Sequence, residues 1–171
     1  ISKELGMDIC SGWGMTEVYT KVGLQYLKPH MFNWPDDKKI EFLSGTGIAP
    51  PFVEQRVVDE KGNDVARDGK TVGEIVLRAP WLTMGYFREP ERSKELWQDG
   101  WMHTGDMATI DEEESVLIID RSKDVIKSGG EWISSLTLEN LINMHPKVQE
   151  VAVFGAASEK WGERAVVLLV P

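Results

Sequence analysis

The sequence predicts a mixed α/β and β protein built as two units. Three observations carry this. Short β-like segments separated by turn residues run from Ser44 to Ile119. One amphipathic helix followed by two apolar strands fills residues 134–170. Between them, residues 120–132 hold charges of both signs, the apolar pair Val125-Ile126 and Gly129-Gly130, the composition of a joint.

The bulk numbers narrow the classes. A chain of 171 residues, 42% hydrophobic, can bury a core. Its net charge of −9 disfavours a general nucleic-acid or anionic-membrane binder. Cys10 is the single cysteine, so no intrachain disulfide forms and a reducing compartment is the simpler reading. No apolar run reaches the roughly 20 residues of a spanning helix, and no secretory signal opens the chain, so a cytoplasmic protein is expected. The start at Ile1 without a methionine, and the stop just after the apolar run 165–170, lead us to expect a piece of a longer protein.

Taken in order, residues 1–10 predict a helix tail running through Gly6 into a short strand near residues 8–10. Ser11-Gly12-Trp13-Gly14 is a tight turn, and residues 15–19 can open a helix. Residues 28–41, with Pro29 and Pro35, predict a polar loop. Residues 52–59 predict a strand closing at the turn 60–63, and Gly73 to Arg78 a second. Pro90 suits the first turn of a short helix ending at Trp97. Residues 101–103, 107–110 and 116–119 predict three more strands, and this spacing suggests a small barrel or sandwich. Ser134 and Ser135 can cap a helix with Leu138, Leu141 and Ile142 on one face, and Pro146 follows its end. Residues 151–154 and 166–170 predict buried strands of a second, α+β unit.

Three constellations carry chemistry. In Gly12-Trp13-Gly14-Met15-Thr16-Glu17 the glycines admit a close backbone approach, and a hydroxyl beside a carboxylate can serve a phosphate oxygen and a hard cation. The plain alternative is a strand-to-helix turn with a packed Trp and a Glu at the helix start. Asp106, after Thr104-Gly105, can hold the two hydroxyls of a ribose or sit in an ordinary Gly-Asp turn. Arg121, after Asp120, can reach the same ribose or a phosphate, or form a surface ion pair of little worth. His30, His103 and His145 show no metal-ligand spacing with Cys10 or with each other, although His103 lies near Asp106 in sequence. Trp34, Trp81, Trp97, Trp101 and Trp161 read as packing, and the acidic run 111–114 as a solvated turn.

In this order and spacing the motifs resemble the adenylate-forming superfamily of acyl-CoA synthetases, peptide-synthetase adenylation domains and luciferases. Gly12 to Glu17 is similar to its aromatic-Gly-x-Thr-Glu motif. Gly73-Glu74-Ile75 with Gly85-Tyr86-Phe87 resembles the next, and Trp101 with Thr104-Gly105-Asp106 the one after. Residues 120–130 resemble the hinge motif. The forms at 13–17, 130–135 and 160–164 look most like the medium-chain fatty acyl-CoA synthetase branch. Pro50-Pro51 departs from a usual Pro-Gly, and Glu114-Ser115-Val116 from an Asp-Gly-aromatic turn.

The resemblance implies an architecture: residues 1–43 end a large AMP-binding domain, 44–120 form a β-barrel subdomain, 121–133 form the hinge and its loop, and 134–171 begin a small C-terminal α+β domain. It also implies roles. Gly12 would border the acyl pocket, and Trp13 would lie against adenine, with Gly14 and Met15 in the same nucleotide-binding turn. Thr16 would contact the α-phosphate and Glu17 would ligate Mg²⁺. Asp106 and Arg121 would hold the ribose and Ile118 would pack on the adenine side. Lys123 would be the hinge. Lys127, Gly129, Gly130 and Glu131 would face coenzyme A in the second step, with Gly130 letting the pantetheine arm pass.

The implied reaction joins a carboxylic, most simply fatty, acid to ATP and then to CoA. The family's phosphate loop and its late lysine are expected outside residues 1–171, so this stretch alone should have negligible adenylation activity. An amino-acid or aryl-acid adenylating enzyme working with a carrier protein is the nearest rival, and a non-catalytic nucleotide-binding fragment the next.

Overall fold

The computed structural model describes Gly6 and residues 9–171. The helix tail expected over residues 1–10 lies largely outside the described residues, and Ile9 and Cys10 have no regular structure. By its internal contacts the chain divides into two units. One runs up to Thr104 and takes in Thr109–Ile118; the other joins Gly105–Ala108 to Ile119–Pro171. The strands at residues 101–110 and 116–121 therefore run through both.

In the first unit, β1 (Gly12–Gly14) pairs antiparallel with β2 (Lys21–Leu24), and the register shifts between Trp13 and Gly14. The backbones approach so closely that a Cβ on Gly14 would lie 2.6 Å from the Thr20 carbonyl oxygen. The helix predicted at 15–19 is a single 3-10 turn, Thr16–Val18, ended by Tyr19 at φ 62°, a left-handed conformation that does not continue a helix. Val18 and Val22 are fully buried and fix this hairpin from beneath.

The polar loop expected over 28–41 is more ordered than its composition suggests. A 3-10 turn spans Pro29–Met31, and α1 (Asp36–Leu43) follows Pro35, with Asp36 and Asp37 in its first turn facing the positive end of the helix dipole. No residue of α1 is buried, so the apolar stripe that would have revealed it is missing.

The β part is a five-stranded sheet curled into a half-barrel. β3 (Glu54–Val58) pairs antiparallel with β4 (Gly73–Arg78) over five residue pairs. After α2 (Pro90–Leu96) come β5 (Trp97–Gln98), β6 (Trp101–Ile110) and β7 (Val116–Arg121). The order is β3-β4-β6-β5, with β7 also on β6. Ile75, Val76 and Leu77 are buried in succession, so β4 is covered on both faces. The two strands predicted at 101–103 and 107–110 are one. Gly105, at φ 71°, kinks the strand without ending it.

The second unit continues from β7 through β8 (Ile126–Ser128) and β9 (Glu131–Ile133) to α3 (Ser135–Asn143), β10 (Glu150–Ser158) and β11 (Gly162–Val170). Its sheet order is β10-β11-β8-β9. The Thr137 amide donates to the Ser134 hydroxyl at 3.0 Å, the N-cap expected from the sequence. The Glu139 carboxylate accepts from the Val153 amide at 2.8 Å and ties α3 to β10.

Two expectations of burial are corrected. Leu141 is exposed on α3, and Phe154, Leu168, Leu169 and Val170 are well exposed on the β10–β11 hairpin. The strands exist, but an apolar run reports a preference for burial, and within this chain little covers either side of β11 near its end.

Candidate functional site

The first part of the candidate site is the β1 hairpin and the turn after it. Gly12, Trp13 and Gly14 lie on β1 and Met15 is extended; Thr16 is exposed and Glu17 half-buried. Glu17 is gripped twice by one loop. The Tyr86 hydroxyl donates to Glu17 Oε1 at 2.6 Å, and the Thr83 amide donates to the Glu17 carbonyl oxygen at 2.9 Å. This bond to Glu17, then burial, then the negative charge of Glu17, raise the Tyr86 phenol above its ordinary value, so it stays a donor. Tyr86 is itself held. Its amide donates to the Ser93 hydroxyl at 2.8 Å, and the Arg92 guanidinium lies 4.5 Å from its ring centre. Sequence reasoning named the Gly85-Tyr86-Phe87 motif without giving Tyr86 a task. No periodicity links positions 17 and 86, which are joined only by the fold.

Ile118 is half-buried on β7 in the same unit, and its amide donates to the Thr46 hydroxyl at 2.8 Å. His103 meets Glu74 at 2.8 Å, so it belongs to a side-chain pair on the sheet. The Arg56 and Arg78 guanidinium groups both lie over the Trp101 ring, 4.9 and 4.1 Å from its centre, and the Trp97 indole donates to the Thr83 carbonyl oxygen, in line with packing roles.

A separate group of the expected residues lies in the other unit. Asp106 is nearly fully buried, and Arg121 Nε meets its Oδ1 at 2.8 Å while the Arg121 side chain stays half exposed. A buried carboxylate costs free energy unless it is paired and hydrogen-bonded, and Arg121 supplies the pairing. The Ser122 amide donates to the Gly105 carbonyl oxygen at 2.7 Å and holds the strand end beside the kink.

Asp120, next to Arg121, has a separate task that the sequence did not disclose. It is 2% exposed, and its Oδ2 accepts from the Ser135 amide and the Ser135 hydroxyl, each at 2.7 Å. A carboxylate at the start of α3 satisfies free N–H groups and favours the helix dipole. Lys123 is exposed in the turn that follows, where the Val125 amide donates to the Arg121 carbonyl oxygen at 2.8 Å.

β8 and β9 form a hairpin whose two turn residues are Gly129 at φ 61° and Gly130 at φ 91°. Both central residues of such a turn need positive φ, which glycine adopts freely. Lys127 lies on β8, with its ammonium 4.6 Å from the centre of the Trp132 ring and its amide donating to Glu163 at 2.8 Å. Glu131 is exposed on β9. A Cβ on Gly130 would meet nothing within 4 Å, whereas one on Gly129 would press against Trp161.

Among the described residues no group of three or more His, Cys, Asp or Glu side chains converges to hold a metal ion. The donor set suits the other way in which Mg²⁺ binds, through one carboxylate together with substrate phosphate oxygens. Glu17, a half-buried hard oxygen donor beside the Thr16 hydroxyl, fits that role.

The architecture of a curled sheet, a glycine hairpin and an α+β unit is that of the C-terminal region of an adenylate-forming enzyme. The chain belongs to the AMP-binding enzyme family. That family's model matches residues 1–87, and the model of the AMP-binding enzyme C-terminal domain matches residues 137–171. It is 43% identical, over 99% of its length, to a long-chain-fatty-acid–CoA ligase of Thermus thermophilus. It is 36% identical, over 96%, to a medium-chain-fatty-acid–CoA ligase of Ectopseudomonas oleovorans. These alignments span 31% and 30% of the two relatives, so the chain corresponds to about a third of their length. Among solved structures, o-succinylbenzoate CoA synthetase of Bacillus subtilis bound to its acyl-adenylate superposes with a TM-score of 0.80 at 28% identity, covering 98% of this chain and 32% of that one. No helix among the described residues is long and apolar enough to cross a membrane.

Proposed function

We propose that this chain is part of the C-terminal region, about a third of the length, of an acyl-CoA synthetase that adenylates a carboxylic acid with ATP and then transfers the acyl group to CoA. The observation that carries it is the Asp106–Arg121 pair, a buried carboxylate held by a half-exposed guanidinium, at the two positions that resemble the family's ribose ligands.

In the first step an oxygen of the substrate carboxylate attacks the α-phosphorus, the bond to pyrophosphate breaks, and acyl-AMP and pyrophosphate result. Trp13 and Ile118 flank the adenine, Asp106 and Arg121 hold the ribose hydroxyls, and Thr16 positions the α-phosphate. Glu17 would hold Mg²⁺, which supplies neutralisation of phosphate charge. The protein thus contributes alignment and preorganised charge, with no covalent intermediate on its own residues.

In the second step the CoA thiolate attacks the acyl carbonyl carbon, the C–O bond to AMP breaks, and AMP leaves. Lys127, Gly129, Gly130 and Glu131 face the pantetheine arm in this step, which Gly130 leaves room for. The joint for the domain rotation between the steps lies within 121–133, with Lys123 as pivot.

The acid is a fatty acid on this reading, because the forms at 13–17, 130–135 and 160–164 resemble the medium-chain branch. An aryl acid is the other reading, favoured by the fold shared with o-succinylbenzoate CoA synthetase. Acid-dependent ATP–pyrophosphate exchange on the full-length enzyme, run with fatty, aryl and amino acids and then with CoA, tests both. Exchange with fatty acids and release of an acyl-CoA are expected. Nucleotide binding without exchange for any acid would overturn the proposal.

A further inference from the structure

The Glu17–Tyr86 contact joins two segments 69 residues apart, and its geometry is specific. The phenol engages Oε1 of the carboxylate at 2.6 Å, so the two carboxylate oxygens are not equivalent. The Thr83 amide, three residues before Tyr86, bonds the backbone oxygen of the same Glu17. Backbone position and side-chain rotation of Glu17 are thus set by one short loop.

That loop is braced in turn. A Cβ on Gly85 would lie 2.7 Å from the Ser93 hydroxyl, so the chain here lies against the start of α2. The Ser93 hydroxyl also donates to the Glu89 carbonyl oxygen at 2.8 Å while accepting from the Tyr86 amide. A carboxylate on a partly exposed turn ordinarily samples several rotamers, and fixing it before a ligand arrives removes that ordering cost from binding.

We infer that Tyr86 is a positioning residue: it holds the Glu17 carboxylate in one rotation, with Oε1 engaged, so that the cation accompanying the nucleotide phosphates meets a preset ligand. This rests on the reading above that Glu17 binds Mg²⁺. Hydrogen-bond partners of metal-ligating carboxylates typically change metal affinity by about 10- to 100-fold when removed. The effect belongs to the adenylation step, because the thioester step starts from an adenylate already formed.

The test uses the full-length enzyme with Tyr86→Phe, which keeps the ring and removes the donor, and Glu17→Gln as reference. Mg²⁺ is titrated calorimetrically into enzyme holding a non-hydrolysable ATP analogue, alongside Mg²⁺ saturation of pyrophosphate exchange and thioester formation from synthetic acyl-adenylate. Tyr86→Phe is expected to raise the Mg²⁺ dissociation constant and half-saturation by about tenfold or more. Thioester formation and the melting temperature are expected to stay near those of the parent enzyme. If Glu17→Gln weakens Mg²⁺ binding and Tyr86→Phe does not, the positioning role is wrong while the Glu17 assignment stands. If Glu17→Gln leaves Mg²⁺ binding unchanged, the assignment itself falls and the inference with it. A Tyr86→Phe enzyme that only melts earlier, with unaltered Mg²⁺ affinity, assigns Tyr86 to packing and overturns the inference.

Discussion

Gly129 and Trp161 are locked together in two ways. The Gly129 amide donates to the Trp161 carbonyl oxygen at 2.8 Å, and a Cβ on Gly129 would stand 2.9 Å from the indole ring. Gly130, one residue on, has open space where its Cβ would be.

The two glycines should therefore separate on substitution. Each has positive φ, so alanine costs about 1 kcal/mol from the backbone alone. Gly129→Ala adds the clash with Trp161 and should destabilise the unit by about 2 kcal/mol or more in total. Gly130→Ala should fold nearly as well and, on the proposed function, slow thioester formation more than pyrophosphate exchange. Denaturant melts and half-reaction assays on the two variants give the comparison, and equal destabilisation would show that the Trp161 contact is immaterial.

The Asp120 carboxylate predicts a local effect at α3. Asp120→Asn keeps the shape and weakens two charge-assisted bonds from Ser135, a loss of about 1–3 kcal/mol. Hydrogen exchange of the amides at 138–142 should accelerate in Asp120→Asn and, to a smaller degree, in Ser135→Ala. Unchanged protection in both would remove Asp120 from the helix.

Arg121 and Asp106 should respond asymmetrically. Arg121→Met removes the cation from a buried carboxylate and should weaken ATP binding by about tenfold or more. Asp106→Asn removes the charge while keeping the shape, and should cost less stability than Arg121→Met, which takes the guanidinium away from the buried carboxylate. Nucleotide titrations and thermal melts of the full-length variants report the two effects; a more stable Arg121→Met than Asp106→Asn protein would reverse the assignment.

Lys123→Pro tests the pivot. Proline fixes its own φ and restricts the residue before it, so it should hamper rotation while leaving a preformed arrangement intact. In the full-length enzyme, thioester formation should fall far more than pyrophosphate exchange. Equal loss in both half-reactions would refute the hinge role of Lys123.

The Glu17–Tyr86 bond carries a pH signature. Because the phenol is raised in the folded state, its contribution is fully present below the ordinary tyrosine value near 10 and is lost as pH climbs through the raised value. Spectrophotometric titration should show a tyrosine ionising above the ordinary range, and Glu17→Gln should bring it back toward that range. A titration unchanged by Glu17→Gln would contradict the bond.

Much of this was legible in the sequence where local rules and tertiary context agree. Gly73 and Pro80 bracket β4, Pro90 opens α2, and Ser134 caps α3 because its hydroxyl satisfies a free amide. The misses have physical causes. Gly105 reads as a breaker but only kinks β6, since pairing of this strand with β4, β5 and β7 outweighs the preference of one residue. α1 buries nothing, so its polar composition matches that of a loop. Tyr86 and Asp120 stayed hidden because their partners are distant in sequence, and no spacing rule connects 86 to 17 or 120 to 135.

Asp120 and Arg121 are neighbours at the end of β7, and successive residues of a strand point to opposite sides. One holds the start of α3 and the other holds Asp106. The end of β7 therefore carries a load on each side, the start of α3 on one and the Asp106 carboxylate on the other, so two neighbouring residues of a single strand anchor a helix and a buried charge.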